Sequence, residues 1–264
     1  MPKPLDILLF TADPALACRA LAAGVSGVVI DWEARADDAR RAAVSLEDTP
    51  DTVDDLRAVA AVAGAPIYCR LNRPGSRLRA EIDTAVDGGA THLIVPMIER
   101  AVEVEQVLGL VGGRAAVGIM IETEPACQAV ESIAALPVDF VYVGLLDLAI
   151  SRGEGNPFRA LADGTADRVR EAFAGTRFGI GGVTTVDAGH PVPAIDLLGE
   201  LARLDTDFAF ARRSFLRDTA GRDLAAECRR IDTAWQALGE RDAAQVVADH
   251  DRFIRQHGAS RSER

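Results

Sequence analysis

The chain has 264 residues, close to the roughly 250 of a single (β/α)₈ barrel, although two small domains would also fit. The formal charge of -11 argues against a nucleic-acid or anionic-membrane surface, and no apolar run approaches the ~20 residues that span a bilayer. Lys3, before the first apolar run, is the only lysine, which argues against a Schiff-base enzyme and a phosphate-binding P-loop.

Short apolar runs alternate with amphipathic helical stretches along the chain. Most of the runs are continuous, which is typical of parallel strands covered on both faces. They predict strands at 5–11, 27–32, 66–71, 92–98, 116–122, 139–144, 177–183 and 207–212. Helices are predicted near 13–23, 52–63, 77–88, 99–111, 124–135, 165–174, 195–203 and 221–239. Asp51 or Thr52 could cap the second helix.

Eight strand–helix units predict an α/β protein with a single (β/α)₈ TIM barrel over residues 1–239. Residues 240–264 are expected to form a C-terminal helical extension and a frayed tail. A doubly wound open sheet is the alternative, but no G-x-G-x-x-G turn follows the first strand. The GIGG stretch at 179–182 could cradle a phosphate, although tight turn geometry is the better explanation.

Cysteines and histidines give no sign of a catalytic or metal site. The cysteines contain no CxxC pair, so neither a disulfide framework nor a zinc site is predicted. With no signal-peptide layout at the N-terminus, we expect a cytoplasmic protein with reduced thiols. The histidines are predicted to be non-catalytic; they are His92 at a strand start, His190 in a loop, and His250 and His257 in the tail.

Charged residues finish five successive predicted strands, at the end of a barrel where active sites lie. Two carboxylates on adjacent strands, with an arginine nearby, can hold a hard cation such as Mg²⁺. Such an ion could chelate a 2-oxo acid and stabilise the enolate formed when a carbon–carbon bond breaks. Helix capping is the simpler alternative for some carboxylates, and a structural ion pair for the arginine. The strand-end residues are Asp31, Glu33, Arg70, Glu99, Glu122, Glu124 and Asp147.

Five segments over residues 20–155 resemble the HpcH/HpaI aldolase and citrate lyase β-subunit superfamily. They read VVIDWE, YCRLN, DGGATHLIVPMIERAVEVE, GIMIETEPACQAVESIA and VDFVYVGLLDLAISRG. The most specific similarity is the pair IET at 121–123 and G-x-x-D-L at 144–148. The resemblance implies a TIM barrel in a homo-oligomer, a trimer or hexamer, often with its last helix exchanged between subunits. It also implies Mg²⁺, Mn²⁺ or Co²⁺ as the enolate-stabilising ion.

The resemblance also implies roles for particular residues. Glu122 and Asp147 match the metal-binding carboxylates. Arg70 matches the arginine that contacts the substrate's oxo group, and the backbone N–H groups of Leu146 and Asp147 match the pair that binds its carboxylate. Glu33 stands at the acidic position near metal-bound water.

Ala34 departs from the family pattern. It stands where the aldolase branch has its histidine base and where the lyase branch has an aspartate, and Asp87 aligns with an aspartate that orients that histidine. Alanine cannot move a proton, and a general base contributes about 10²–10⁴-fold. Either Glu33, Asp37 or Asp38 takes the role, or a metal-bound hydroxide does, or the chemistry differs from ordinary aldol cleavage.

Three functions stay open at this point. The first is a metal-dependent carbon–carbon lyase or aldolase that acts on a small anionic 2-oxo acid through an enolate. The second is a lyase on an acyl-CoA thioester, for which Arg73, Arg77 and Arg79 could contact the CoA phosphates. The third is a barrel with altered or lost chemistry that binds a ligand or serves in biosynthesis, an alternative motivated by Ala34.

Overall fold

Eight parallel strands pair in chain order, and the last closes the ring by pairing with the first. The computed structural model describes residues 3–33 and 50–258; Ala34, Asp37, Asp38 and the end of the tail lie outside these ranges. The strands are β1 Asp6–Phe10, β2 Gly27–Asp31, β3 Ile67–Arg70, β4 His92–Val95, β5 Ala116–Ile121, β6 Phe140–Val143, β7 Arg177–Val183 and β8 Phe208–Ala211. The predicted single TIM barrel is confirmed.

Helices cover the outside of the barrel. Those of the predicted set are α1 Pro14–Ala22, α2 Val53–Ala63, α3 Leu78–Asp87, α4 Ala101–Val111, α5 Glu124–Gln128, α6 Val130–Ala134, α9 Thr165–Ala172, α10 Ala194–Arg203 and α12 Leu224–Gly239. The predicted helix at 124–135 is divided at Ala129 into α5 and α6. Three short helices in the loops were not predicted, since segments of four to seven residues are too short to show a helical period. They are α7 Leu145–Ser151, α8 Arg159–Ala162 and α11 Ser214–Asp218.

The N-terminus of α2 is fixed by a capping box. Thr52 Oγ1 accepts the N–H of Asp55 at 3.2 Å, and Asp55 Oδ2 accepts the N–H of Thr52 at 2.7 Å. Thr52 is therefore the cap, and Asp51 instead accepts the backbone N–H of Asp31 through its carboxylate at 2.7 Å. The capping box fixes the chain just after the undescribed segment, and Asp51 ties it to the end of β2.

The barrel interior is filled by large side chains that alternate along the strands. Val29, Tyr68, Met120 and Phe210 belong to this inner cluster. Because successive strand residues face opposite sides, the next inward positions on β2, β3, β5 and β8 fall two residues later, at the mouth. They are Asp31, Arg70, Glu122 and Arg212.

The glycines of 179–182 lie within β7 and not in a turn. A Cβ on Gly179 would come within 2.4 Å of the Phe208 ring, and one on Gly182 within 2.9 Å of Arg212 Cγ. Gly181 has a φ of +68°, and the pairing of β7 with β8 shifts register between Gly179 and Gly182. These glycines make room for side chains of β8 and for a bulge. Tight turn geometry was therefore the wrong interpretation.

The C-terminal extension forms the helix α13, Ala243–His257, which packs on α10 and α8 of the same chain. Glu200, buried on α10, contacts His250 Nδ1 at 2.9 Å, and Arg241 pairs with Asp249 at 2.8 Å. Exchange of the last helix between subunits stays a prediction. Within residues 3–33 and 50–258, every helix is too short or too polar to cross a bilayer.

Candidate active site

Arg70 ends β3 inside the barrel mouth and pairs with two carboxylates from β2 and the residues after it. Its Nε and Nη2 donate to Asp31 at 2.9 and 2.5 Å, and its Nη1 lies 3.0 Å from Glu33 Oε2. Burial alone would lower the pKa of the Arg70 guanidinium, but Glu33 and Asp31 outweigh it and raise that pKa. Arg70 is therefore a fixed, permanently charged group. The structural ion pair that was the alternative for this arginine is present, and it holds the guanidinium at the mouth.

Glu122 follows β5 and is completely buried. Its Oε1 accepts the backbone N–H of Met97 at 2.8 Å, and its Oε2 has no hydrogen-bond partner among the described residues. Burial, followed by the charges of Asp147 and Glu33, raises the pKa of the Glu122 carboxyl. A buried carboxylate oxygen without a partner is costly unless a ligand satisfies it, so this atom points to a binding site for a cation or a donor.

Asp147 lies in the first turn of α7, directly after β6. Gly144, at the N-cap, allows Glu122 to approach, since a Cβ there would come within 2.4 Å of Glu122 Oε2. Gly144 also leaves the first turn without a side-chain cap. The backbone N–H groups of that turn, including Leu146, have no acceptor within the helix itself. Leu146 is 37% exposed.

The charged groups at the mouth form one set, which we call the mouth cluster: Asp31, Glu33, Arg70, Glu122 and Asp147. Four carboxylates with one guanidinium leave an excess of negative charge that favours a cation. Among the described residues, no three His, Cys, Asp or Glu side chains are arranged to hold a metal ion. Two carboxylates with waters and substrate oxygens suffice for Mg²⁺, and the unpartnered Oε2 of Glu122 fits such an ion.

Aromatic side chains form the floor beneath the mouth cluster. The guanidinium of Arg70 lies 5.1 Å from the centre of the Phe10 ring. Tyr142 donates its hydroxyl to the carbonyl of Gly181 at 2.5 Å, and burial, followed by the charge of Glu122, raises its pKa. Tyr142 is therefore a neutral hydrogen-bonding group beneath the charged side chains.

Two residues at the mouth have a role that the sequence did not predict. Asp31 ends β2, and the adjacency of β2 and β3 is the signal that could have identified it as a partner of Arg70. Arg212 follows β8, with its Nε donating to Gly182 O at 2.9 Å. The alternation of Phe208 and Phe210 along β8 was the signal that could have placed Arg212 inward.

Asp87 and two of the strand-end glutamates lie apart from the mouth cluster. Asp87 is exposed and ends α3 just before β4 begins, so it lies at the opposite end of the barrel within one chain. Glu124 pairs with Arg152 at 2.5 Å and Glu99 with Arg73 at 2.8 Å. Glu99 also lies just before α4, where its backbone N–H donates to the Glu103 carboxylate at 2.8 Å.

Burial makes the thiols of Cys69 and Cys127 and the ring of His92 unsuited to acid–base or nucleophilic roles. It raises the pKa values of the Cys69 and Cys127 thiols, which therefore pack as small apolar groups. His92 begins β4, at the far end of the barrel, and stacks on Tyr68 with ring centroids 4.4 Å apart. Burial, followed by the charge of Arg177, lowers the pKa of His92.

Comparison with solved structures shows the same fold in several proteins at low sequence identity. CitE from Mycobacterium tuberculosis, in complex with magnesium and pyruvate, has a TM-score of 0.61 and 18% identity over 95% of this chain and 98% of that one. The HpcH/HpaI aldolase from Desulfitobacterium hafniense DCB-2 has a TM-score of 0.60 and 16% identity over 91% and 95%. The citrate synthase SbnG has a TM-score of 0.62 and 17% identity over 86% and 94%.

A comparison with curated proteins gave no significant match. The sequence model of the HpcH/HpaI aldolase/citrate lyase family, in contrast, matches residues 7–157, which contain the mouth cluster and more than half of the chain. Together with the closed eight-stranded barrel, this match shows that the chain belongs to the HpcH/HpaI aldolase/citrate lyase family.

Proposed function

We propose that this protein is a divalent-metal-dependent carbon–carbon lyase or aldolase that acts on a 2-oxo acid through an enolate. The observation that carries the proposal is the buried Glu122 Oε2, which lacks a partner among the described residues and lies near a second carboxylate, Asp147. Family membership and a relative whose structure contains magnesium and pyruvate support it.

Glu122 and Asp147 would hold Mg²⁺, Mn²⁺ or Co²⁺, with water and substrate oxygens completing the ligand set. When bound, the ion acts as a Lewis acid that polarises the substrate's oxo group. This ion would offset the negative excess of the mouth cluster, and Glu122 and Asp147, which repel each other in its absence, would become its ligands.

Arg70 would stabilise the charge that develops on the enolate oxygen. Its contacts with Asp31 and Glu33 fix the guanidinium in place, so little reorganisation is needed during the reaction. A fixed guanidinium also keeps its charge at every pH of interest. The backbone N–H groups of Leu146 and Asp147 would bind the substrate carboxylate, because the first turn of a helix offers donors without intrahelical acceptors.

We assign proton transfer to Glu33. Its side chain is buried, with a residue exposure of 6%, and contacts Arg70 at 3.0 Å, so it lies beside the group that would stabilise the enolate. A carboxylate in that position can accept a proton from the carbon next to the oxo group. The segment that contains Ala34, Asp37 and Asp38 lies outside the described residues, and the alternatives based on it stay predictions.

Exchange of the pyruvate methyl protons with D₂O, followed by NMR with Mg²⁺ or Mn²⁺, tests the proposal. The wild-type protein is expected to accelerate exchange, and Glu122→Gln to slow it at least about a hundredfold. Glu124→Gln is the matched control, because Glu124 pairs with Arg152 outside the mouth cluster, and it should leave the rate unchanged. No exchange above the rate with metal alone, or exchange that survives Glu122→Gln, would contradict the proposal.

An acyl-CoA substrate, a trimeric or hexameric assembly and a cytoplasmic location stay predictions. An acyl-CoA substrate would need arginines for the CoA phosphates, and Arg73, one of the three candidates, pairs with Glu99. A trimer or hexamer and a cytoplasmic location are likewise proposals that follow from the family resemblance and the reduced thiols. None of the four cysteines forms a disulfide.

A further inference from the structure

Arg212 lies on the side of the barrel mouth that faces the mouth cluster. It follows β8, which is separated from β5 by β6 and β7, and from β3 by β1 and β2. Phe208 and Phe210 point into the barrel, so the alternation along the strand directs Arg212 inward at the same end of the barrel as Arg70 and Glu122. The barrel mouth is therefore bordered by a second guanidinium, that of Arg212, three strands away from Arg70.

Two hydrogen bonds and one aromatic contact hold the backbone and one edge of the guanidinium of Arg212. Its backbone N–H donates to Val183 O at 2.7 Å, and its Nε donates to Gly182 O at 2.9 Å. The guanidinium carbon lies 5.8 Å from the centre of the Phe158 ring, in the loop that follows α7. Gly182 leaves the space for the stem, since a Cβ there would come within 2.9 Å of Arg212 Cγ.

One terminal nitrogen of the Arg212 guanidinium, Nη2, lacks a polar partner. This atom is buried and has no hydrogen-bond partner among the described residues. Among the same residues, Arg212 forms no ion pair. The nearby Asp218 accepts the hydroxyl of Thr184 at 2.6 Å. Burial outweighs the charge of Asp218, so the pKa of Arg212 is lowered. A half-buried cation with a buried, unsatisfied donor is costly unless an anion binds to it.

Tyr142 lies within electrostatic range of both Arg212 and the mouth cluster. The Tyr142 hydroxyl senses the charges of Glu122, Arg70 and Arg212 in turn, so all four groups border the same region. Ligands in this region would have one end near the metal-binding carboxylates and the other near Arg212.

We propose that Arg212 is a second anion-binding subsite, which pairs with a carboxylate at the far end of a dianionic 2-oxo acid. This inference rests on the proposed function, which places the 2-oxo end at Glu122 and Asp147. One guanidinium balances one carboxylate, and its planar donors match a carboxylate's two oxygens. A phosphate group carries close to two charges and fits a single arginine less well.

Binding of matched pairs of 2-oxo acids, measured by calorimetry with Mg²⁺ present, tests the inference. The pairs are 2-oxobutyrate with oxaloacetate and 2-oxovalerate with 2-oxoglutarate, which differ within each pair only in the terminal carboxylate. In the wild-type protein, the dianionic member of at least one pair should bind about tenfold to a hundredfold more tightly. Arg212→Met should abolish this preference and leave the affinity for the monoanionic member unchanged.

Arg213→Met is the control, because Arg213 is adjacent but exposed, and it should keep the preference. Arg212→Lys should keep part of it, since the charge remains while the planar fork is lost. Equal binding within both pairs, or a preference that survives Arg212→Met, would overturn the inference. If the monoanionic acids still bind in that case, the proposed function stands. If no 2-oxo acid binds the wild-type protein and pyruvate exchange is also absent, both proposals are wrong.

Discussion

Met97 donates its backbone N–H to Glu122 Oε1 at 2.8 Å from a left-handed conformation with φ +57°. This region is uncommon for a residue other than glycine and costs of order 1–3 kcal/mol. The contact orients the carboxylate so that its other oxygen, Oε2, is left for a ligand. Backbone strain next to a buried acidic group is thus a feature of the mouth cluster, in keeping with a functional role.

Gly144→Ala should damage the mouth cluster without unfolding the barrel. The added Cβ would come within 2.4 Å of Glu122 Oε2, so the carboxylate must move away from its place beside Asp147. We expect Mg²⁺ affinity and pyruvate exchange to fall at least about tenfold, as measured by calorimetry and NMR.

Gly109→Ala is the matched control for this change. Gly109 lies exposed within α4, where an added Cβ meets nothing within 4 Å. It should leave Mg²⁺ binding unchanged and raise the free energy of unfolding by about 0.5–1 kcal/mol. Equal metal affinity in the two variants would contradict the role given to Gly144.

Glu33→Gln should separate proton transfer from metal binding. The amide keeps the shape of the side chain but cannot accept a proton, so pyruvate exchange should fall about 10²–10⁴-fold. Mg²⁺ affinity should fall far less than the exchange rate, because Glu33 contributes only its charge to the mouth cluster and is not one of the proposed ligands. Exchange at the wild-type rate would assign the base to another residue.

Thr52→Ala should destabilise the fold by about 1 kcal/mol. It removes the hydroxyl that accepts the Asp55 N–H at 3.2 Å, which leaves a helix donor unsatisfied. Chemical unfolding measures the change. Thr84→Ala, in an exposed part of α3 where the hydroxyl bonds to Ala80 O at 2.7 Å, should be neutral or slightly stabilising. A neutral Thr52→Ala would mean that the capping box contributes little.

His92 should make the fold sensitive to mild acid. Burial lowers its pKa in the folded chain below the unfolded value of about 6.5. The unfolded state therefore binds a proton first, and the stability contributed by neutral His92 is present above pH about 6.5 and lost as the pH falls through the folded pKa.

Chemical unfolding between pH 7 and 5 measures this effect. The free energy of unfolding of His92→Gln should fall less steeply on acidification than that of the wild-type protein. His190→Gln, at an exposed loop position, is the control and should follow the wild-type curve. Parallel curves for His92→Gln and the wild-type protein would contradict the assignment.

The barrel could be predicted from the sequence because each strand is a compact apolar run, and the structure confirms all eight within about three residues at each end. Glu122 and Arg70 could be identified because a charged side chain at the end of a buried apolar run is costly unless it has a partner or a ligand. Arg212 was missed because a lone arginine after a strand carries no motif. Its importance depends on what the other seven strands place opposite it, which only the closed ring shows.

Other parts of the site depend on contacts far apart in the chain. The pairing of Asp31 with Arg70 joins residues 39 positions apart, and no local pattern encodes it. Asp87 ends α3, away from the mouth cluster of its own chain, and the role that the family resemblance implies for it stays a prediction. The short helix α7 carries Asp147 in its first turn, but a helix of this length gives no periodic signal in the sequence.

A crystal structure of the protein soaked with Mg²⁺ and oxalate tests the central claim most directly. We predict one ion bound by Glu122 and Asp147, with oxalate oxygens completing its ligands and Arg70 in contact with oxalate. An ion held by other residues, or oxalate bound in the mouth without any ion, would contradict this claim.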